Sequence, residues 1–185
     1  MSFQQPITLY SKDNYAIAQQ NRQIPTFPTQ KELREGIECH IPILLCHDYE
    51  HPHVFLFSTP EANGLFHFPI IRANNNFTMR TESLEPWVGE QCNTIQVLKK
   101  VACLYRPSLD PRFYPYIPPH CTSPRQTLHF YVCELPEHLT FTVPQGVQLK
   151  CAPLFDLLAN AGRYTPECYH IPASISRESQ SWRCK

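Results

Sequence analysis

The chain has 185 residues, of which 42% are hydrophobic and 12% aromatic, so it suits one folded domain and is too apolar for a disordered protein. Its 16 Lys and Arg balance 16 Asp and Glu, which excludes a broad electrostatic attraction to nucleic acid. Glycine is scarce, with 5 residues against 19 prolines, and this argues against a loop that cradles phosphate through its backbone.

The first third of the chain predicts an irregular arm followed by strands. Residues 1–30 are polar and contain three prolines, so we expect an arm that is partly irregular. The apolar runs His40–His47 and His53–Ser58 flank a short polar turn and predict a hairpin. A turn at Asn63-Gly64 then predicts a third strand over Leu65–Ile71.

The middle of the chain is harder to assign. A helix is expected from about Thr78 to Glu90, broken or kinked near Pro86. Thr94–Tyr105 fits a helix or a strand by its periodicity. Strand and helix therefore both stay open for that segment.

The last third predicts two strands and a helix. Thr127–Glu134 and Leu139–Val143 have strand composition, and Pro153–Asn160 begins with a proline suited to a first helical turn. Strands mixed with helices indicate α/β packing in a single domain over residues 31–172, followed by a polar tail at 173–185.

The cysteines predict a reducing compartment. There are nine, an odd number, and none has CxxC spacing. The first twenty residues lack an apolar signal core and no run reaches membrane-spanning length, so we expect a cytoplasmic or nuclear protein without membrane contact. Most of the cysteines should then act as small core hydrophobes.

A histidine- and cysteine-rich segment raises the question of a metal. Cys46, His47, His51 and His53 lie close together, and Cys39-His40 adds a second pair. Structural zinc sites usually combine paired short spacings from two places. The alternative is a hairpin turn with exposed histidines, and we predict no metal and no cofactor.

Prolines and aromatic residues are concentrated in the segment from Leu104 to Arg125. Six prolines and four aromatic residues fall within these 22 positions, centred on Tyr114–His120, YPYIPPH. Each proline fixes φ and extends the residue before it, so the segment should form a stiff ledge. Such a ledge suits a partner surface or a base-stacking platform, or it is a loop packed on its own core.

Two segments together resemble one family. The first comprises Tyr105-Arg106-Pro107, Asp110-Pro111 and YPYIPPH; the second is CAPLFDL at Cys151–Leu157 with Asn160-Ala161 and Tyr164. Both are similar to the Nudix-fold small subunit of pre-mRNA cleavage factor Im, and TFTVPQGVQL between them is similar as well. The resemblance implies an α/β/α Nudix sandwich with a mixed central sheet. It also implies a nuclear homodimer that binds UGUA-type RNA upstream of poly(A) sites, recruits a larger subunit with an RNA-recognition motif, and is not a hydrolase.

The residues needed for Nudix hydrolysis are absent at the expected spacing. A Nudix box has an acidic residue six positions after a glycine and further glutamates that hold magnesium, which prefers oxygen ligands. Six positions after the five glycines stand Pro42, Ile70, Ile95, Ala152 and Cys168. We therefore predict that the chain is not an enzyme.

The resemblance also assigns candidate binding residues. Tyr164 and Phe66 match residues close to bound RNA, and Leu65 stands where the family stacks an aromatic ring on a base. The family's charged readers of the bases fall at Ser11, Gln19 and Ile41; Ser11 and Gln19 can still form hydrogen bonds, whereas Ile41 cannot. We predict RNA binding by Phe66, Tyr164, Leu65 and Gln19.

The same resemblance places subunit interfaces on the ledge. Tyr114, Tyr116, Asp110 and Arg106 are the predicted partner and dimer residues, although Asp110 and Arg106 could equally form a structural ion pair. A scaffold with a decayed RNA site is the alternative function. A nucleotide-binding or nucleotide-hydrolysing Nudix protein is a second alternative.

Overall fold

The computed structural model describes residues 6–24, 36–73, 78–107, 116, 118–120, 123–177 and 182–185. The strands of these ranges are, in chain order, β1 (Ile7–Leu9), β2 (Tyr15–Gln20), β3 (Ile37–Asp48), β4 (His51–Ser58), β5 (Ile71–Arg72), β6 (Gln96–Arg106), β7 (Gln126–Glu134), β8 (Leu139–Pro144), β9 (Gln148–Pro153) and β10 (Trp182–Cys184). The α-helices are α1 (Glu85–Val88), α2 (Asp156–Ala159) and α3 (Ile171–Arg177).

A mixed sheet forms the centre of the fold. Its strand order is β6-β7-β3-β4-β9, and the short β5 pairs with β3. β3 runs parallel to β7, whereas β6-β7, β3-β4 and β4-β9 are antiparallel pairs. The hairpin predicted over His40–His47 and His53–Ser58 is confirmed as β3 and β4.

Apolar residues cover both faces of this sheet. β3 carries a nearly continuous buried run through Ile43, Leu44 and Leu45, as expected for a central strand covered on both sides. One core lies between the sheet and α2 and α3, and the second lies between the sheet, α1 and β8. This arrangement gives helix, sheet and helix layers around a mixed sheet, as predicted.

The described residues near both ends of the chain contain strands that the sequence did not predict. β1 and β2 lie within the arm expected to be partly irregular, and α3 and β10 involve the residues expected to form a polar tail. β1 pairs in parallel with β10, and β2 pairs in parallel with β8. The partner strands supply hydrogen bonds that neither end could form alone, which is why local composition did not reveal these strands.

The predicted helix over 78–90 is mostly replaced by tighter turns. Residues Thr81–Leu84 and Glu90–Thr94 are 3-10 turns, and α1 lies between them. Pro86 stands in the first turn of α1, where proline is tolerated. The predicted helix is broken on both sides of α1: the first 3-10 turn ends at Leu84, and Gly89 follows α1, with φ at +99° and Thr142 Cβ only 2.8 Å from where a side chain would begin.

Three other segments either differ from their predictions or decide between the alternatives left open. Thr94–Tyr105 is a strand over most of its length, β6. Leu65–Ile71 forms only isolated bridges before β5, and Pro153 ends β9 rather than beginning a helix. α2 is therefore shorter than predicted, because β9 takes up the residues before it.

Candidate functional site

Phe66 and Tyr164 lie side by side at one end of the sheet. They form an isolated parallel bridge, in which the Phe66 amide donates to the Arg163 carbonyl at 2.9 Å and Phe66 accepts from the Thr165 amide at 3.0 Å. The structure therefore brings together two residues that are almost one hundred positions apart in the sequence, as the resemblance implied.

A lysine covers both aromatic rings. Lys150, in β9, places its ammonium 5.4 Å from the centre of the Phe66 ring and 5.2 Å from that of Tyr164. Such cation–π contacts contribute on the order of 0.5–2 kcal/mol each, depending on desolvation. Lys150 was missed in the sequence analysis because β9 itself was not predicted; the pattern QLKCAP contains no functional motif.

Hydrogen bonds fix the polar end of Tyr164. Lys150 Nζ donates to the Tyr164 hydroxyl at 3.0 Å, and that hydroxyl donates to the carboxylate of Asp156, which also accepts from the Asn160 amide. Burial and the bond to Asp156 raise the pKa of Tyr164, whereas the bond from Tyr164 lowers the pKa of Asp156. We call Phe66, Lys150, Tyr164, Asp156 and Asn160 the Phe66 site.

The other predicted RNA residues are placed differently. Leu65 is half-buried next to Phe66. Tyr164 is only 1% exposed, so its ring packs inside the protein against Lys150 and does not face solvent. Gln19 is exposed on β2, which pairs with β8. Ile41 is fully buried in β3 and cannot touch a base.

Arg106 makes structural contacts rather than presenting a free guanidinium. It donates to the buried carboxylate of Glu167 at 2.8 Å and to Gln126 Oε1 at 2.9 Å, and Gln126 in turn donates to Cys39 Sγ at 3.2 Å. Arg106 therefore forms an ion pair with Glu167, and the alternative of a pair between Arg106 and Asp110 stays a prediction because Asp110 lies outside the described residues.

The remaining ledge residues are only partly described. Asp110 and Tyr114 lie outside the described residues, so the predictions that concern them stay predictions. Tyr116 is described and is 70% exposed, as an interface residue in a free subunit would be.

An open cavity of about 470 Å³ lies beside β5 and the turn Thr81–Leu84. Its described lining includes His40, Arg72, Arg80 and Glu82. Glu82 is the one carboxylate among the described lining residues, and a single carboxylate is a poor site for a magnesium ion that must activate a phosphate.

The histidine- and cysteine-rich segment contacts several separate partners. His47 Nε2 lies 2.9 Å from the Lys185 carbonyl oxygen, His53 Nδ1 lies 2.9 Å from the His51 carbonyl oxygen, and Cys46 Sγ lies 3.3 Å from Cys151 Sγ. Within the described ranges, no three His, Cys, Asp or Glu side chains are grouped so that they could hold a metal ion. Five of the eight described cysteines are buried, as expected of core hydrophobes: Cys39, Cys46, Cys92, Cys133 and Cys168.

Comparison with known proteins decides the family. The Nudix profile, described as nucleotide hydrolase, matches residues 2–177. The chain belongs to the Nudix family. Among solved Nudix structures, the NUDIX domain of Shewanella oneidensis NrtR complexed with ADP ribose has a TM-score of 0.51 at 13% identity and covers 80% of this chain and 92% of that one. A NUDIX hydrolase from Nitrosomonas europaea has a TM-score of 0.52 at 5% identity, covering 78% and 91%. These likenesses show the fold, and they confirm the predicted α/β class.

Sequence relatives narrow the family further. This Nudix chain is 30% identical over 163 residues to pre-mRNA cleavage factor Im 25 kDa subunit 2 of Arabidopsis thaliana, covering 78% of this chain and 76% of the relative. It is 29% identical over 164 residues to cleavage and polyadenylation specificity factor subunit 5 of Dictyostelium discoideum, covering 78% and 74%. The chain is therefore a divergent homologue of the small cleavage factor Im subunits, as the two sequence segments indicated.

No α-helix in the described ranges is long and apolar enough to cross a membrane.

Proposed function

We propose that this chain is a non-catalytic, RNA-binding subunit of the nuclear pre-mRNA 3′-end processing machinery. The observation that carries the proposal is the Phe66 site, where a lysine lies against two aromatic rings at the position that the family resemblance assigns to RNA. Phe66 supplies a π surface for a base, and Lys150 supplies a cation for a phosphate or a base carbonyl. UGUA-like RNA is the proposed ligand.

The binding energy in this proposal comes from few contacts. The formal net charge of zero means that attraction to the RNA backbone is weak away from the site. We therefore expect a shallow dependence of affinity on salt, with a log–log slope of about −1 to −2. A much steeper slope would contradict the proposed binding mode.

Fluorescence anisotropy with a UGUA oligonucleotide and a scrambled control tests the proposal. Lys150→Met should weaken UGUA binding about tenfold and reduce the salt slope by about 1, because one cation is lost. Lys100→Met, which removes the same charge from β6, is the matched control and should leave binding within about twofold. Equal binding of both oligonucleotides by the unmodified protein would reject selective RNA recognition.

The scaffold alternative has its own observation. Tyr164 is buried and Lys150 already lies over the Phe66 ring, so a base could stack on that face only after Lys150 moves. Leu65 adds no π surface and Ile41 is in the core. If the protein captures partner subunits but no RNA, the scaffold function is the correct one.

The proposed assembly is a homodimer that binds a larger subunit carrying an RNA-recognition motif. Tyr116 is the described residue that supports it, together with the predicted contribution of Tyr114, Asp110 and Arg106. Light scattering should give twice the mass of the chain, 21.5 kDa, and Tyr116→Ala should weaken capture of the larger subunit. A monomer that captures no such subunit would contradict the assembly.

Hydrolysis remains a weaker candidate. Its support is the Nudix fold and the cavity next to Glu82. Magnesium-dependent turnover of a dinucleoside polyphosphate, abolished by Glu82→Gln, would establish it in place of the non-catalytic function.

A further inference from the structure

Three neighbouring strands align a thiol, an imidazole and a carboxylate away from the Phe66 site. Cys103 in β6 pairs with His129 in β7, and His129 pairs with His40 in β3. Glu38 lies two residues before His40, and side chains two positions apart in a strand share one face of the sheet. We call Cys103, His129 and Glu38 the Cys103 cluster.

The two ring nitrogens of His129 face different partners. Nδ1 lies 3.6 Å from Cys103 Sγ, and Nε2 lies 3.8 Å from Glu38 Oε2. A proton on Nε2 would be attracted to Glu38 and would leave the Nδ1 lone pair free to accept the thiol proton. This is the arrangement of an activated nucleophile, a base and a group that orients the base, at the looser distances common in unliganded sites.

The surrounding charges keep His129 able to accept a proton. Burial first, and then the Lys100 ammonium, lower the pKa of His129, while Glu38 raises it. His40 packs edge-on against His129 with ring centres 5.9 Å apart, and burial lowers its pKa as well. These influences favour the neutral form of both imidazoles.

Two tyrosines and an unpartnered nitrogen complete the surroundings. The Tyr105 hydroxyl bonds to Cys103, which raises the pKa of Tyr105, and burial raises the pKa of Tyr131. His40 is 4% exposed, yet its Nε2 has no hydrogen-bond partner among the residues that the structure describes. A buried polar atom left without a partner is costly, and such groups concentrate at functional sites.

The other described cysteines lack this arrangement of neighbours. Cys184, which is also partly exposed, approaches the Glu50 carbonyl oxygen at 3.7 Å. Cys151 lies against Cys46, and burial and the bond between the thiols raise the pKa of Cys46. Cys103 is partly exposed and lies beside a histidine that a carboxylate orients.

We propose that Cys103 is a reactive thiol and a covalent modification site for small-molecule disulfides. His129 Nδ1 takes the thiol proton, and the Cys103 thiolate attacks one sulfur of the disulfide. The new bond joins Cys103 Sγ to that sulfur while the bond between the two sulfurs of the reagent breaks. The departing thiolate takes the proton from His129. Cys103 and the incoming half are linked as a mixed disulfide, and the other half leaves as a reduced thiol.

Alkylation followed by mass spectrometry of each cysteine peptide tests the reactivity of the full-length, reduced protein. In a short iodoacetamide pulse at pH 7, Cys103 should be labelled at least about fivefold faster than Cys184. Glutathione disulfide should then add one glutathione to the Cys103 peptide, and dithiothreitol should remove it.

Variants of the base and its orienting group separate this role from simple exposure. His129→Leu should slow labelling of Cys103 about tenfold and change the pH dependence of its rate, because the base that takes the thiol proton is removed. Glu38→Gln, which keeps the shape of the side chain, should slow it about threefold. Labelling of the buried Cys133 reports any unfolding of a variant, and Lys150→Met should change none of these rates.

Three results would overturn the proposal. The first is labelling of Cys103 no faster than Cys184 in the unmodified protein. The second is an unchanged Cys103 rate and pH dependence in both His129→Leu and Glu38→Gln, with Cys133 still protected. The third is alkylation of Cys103 without any adduct from glutathione disulfide, which would reject the assignment to disulfides.

Discussion

The Phe66 site and the Cys103 cluster occupy different parts of the same sheet and are built differently. In the Phe66 site, the hydroxyl of a buried tyrosine contacts both Lys150 and Asp156, so the polar groups satisfy one another. In the Cys103 cluster, His129 stands 3.6 and 3.8 Å from its two neighbours, and the adjacent His40 has a ring nitrogen without a hydrogen-bond partner in the described part of the chain. Side chains that hydrogen-bond closely to one another keep a binding surface in a fixed conformation. Side chains at longer distances from one another remain free to exchange protons.

The largest expected loss of stability comes from breaking the ion pair between Arg106 and Glu167, which links the two regions. Arg106, at the end of β6, holds Glu167, which follows the strand bridge at Tyr164. Arg106→Met should lower the free energy of unfolding by about 2–3 kcal/mol, because Glu167 is buried and loses its only charged partner among the described ion pairs. Urea denaturation at pH 7 measures this.

A double variant is the control for that prediction. Arg106→Met combined with Glu167→Gln leaves no buried charge and should recover part of the loss. If Arg106→Met alone costs less than about 1 kcal/mol, then the pair behaves as an exposed one and does not link the regions.

The second prediction compares the two regions directly. Tyr164→Phe removes the hydroxyl between Lys150 and Asp156 and should cost about 1–2 kcal/mol of unfolding free energy. His129→Leu should cost only about 0.5 kcal/mol, since its polar contacts are long and both partners are partly exposed. Urea denaturation of both variants measures the difference, and equal losses would mean that the two clusters do not differ in how tightly they are bonded.

The smallest expected effect is on how stability changes with pH in acid. The pKa of Asp156 in the folded protein is lowered, chiefly by the hydrogen bond from Tyr164, below its ordinary value of 3.8. Its contribution to stability is therefore complete above that ordinary value and is lost as the pH falls through the folded pKa. Between pH 5 and pH 3, the urea midpoint of Asp156→Asn should decrease less than that of the unmodified protein. The decrease should also be smaller in Tyr164→Phe. Identical pH profiles would contradict the assigned cause.

Strongly apolar segments were predicted well. The runs in β3, β4 and β7 are buried in the core, so their residue types report their environment directly. The termini were predicted poorly, because β1 and β10 are three-residue strands that are stabilised by each other. The family resemblance assigned Phe66 and Tyr164 to the same RNA site but did not predict the bridge between them, and Lys150 lay in a strand that no pattern had indicated.

The sequence alone determined the fold class and the family, because buried strands and the two motifs YPYIPPH and CAPLFDL are local features that need no partner to be recognised. Only the tertiary structure decided that Lys150 covers Phe66 and that His129 lies between Cys103 and Glu38. Those contacts depend on which strands pair and in which register. A shift of one residue would turn each side chain to the opposite face, and residue types along one strand do not specify its neighbour.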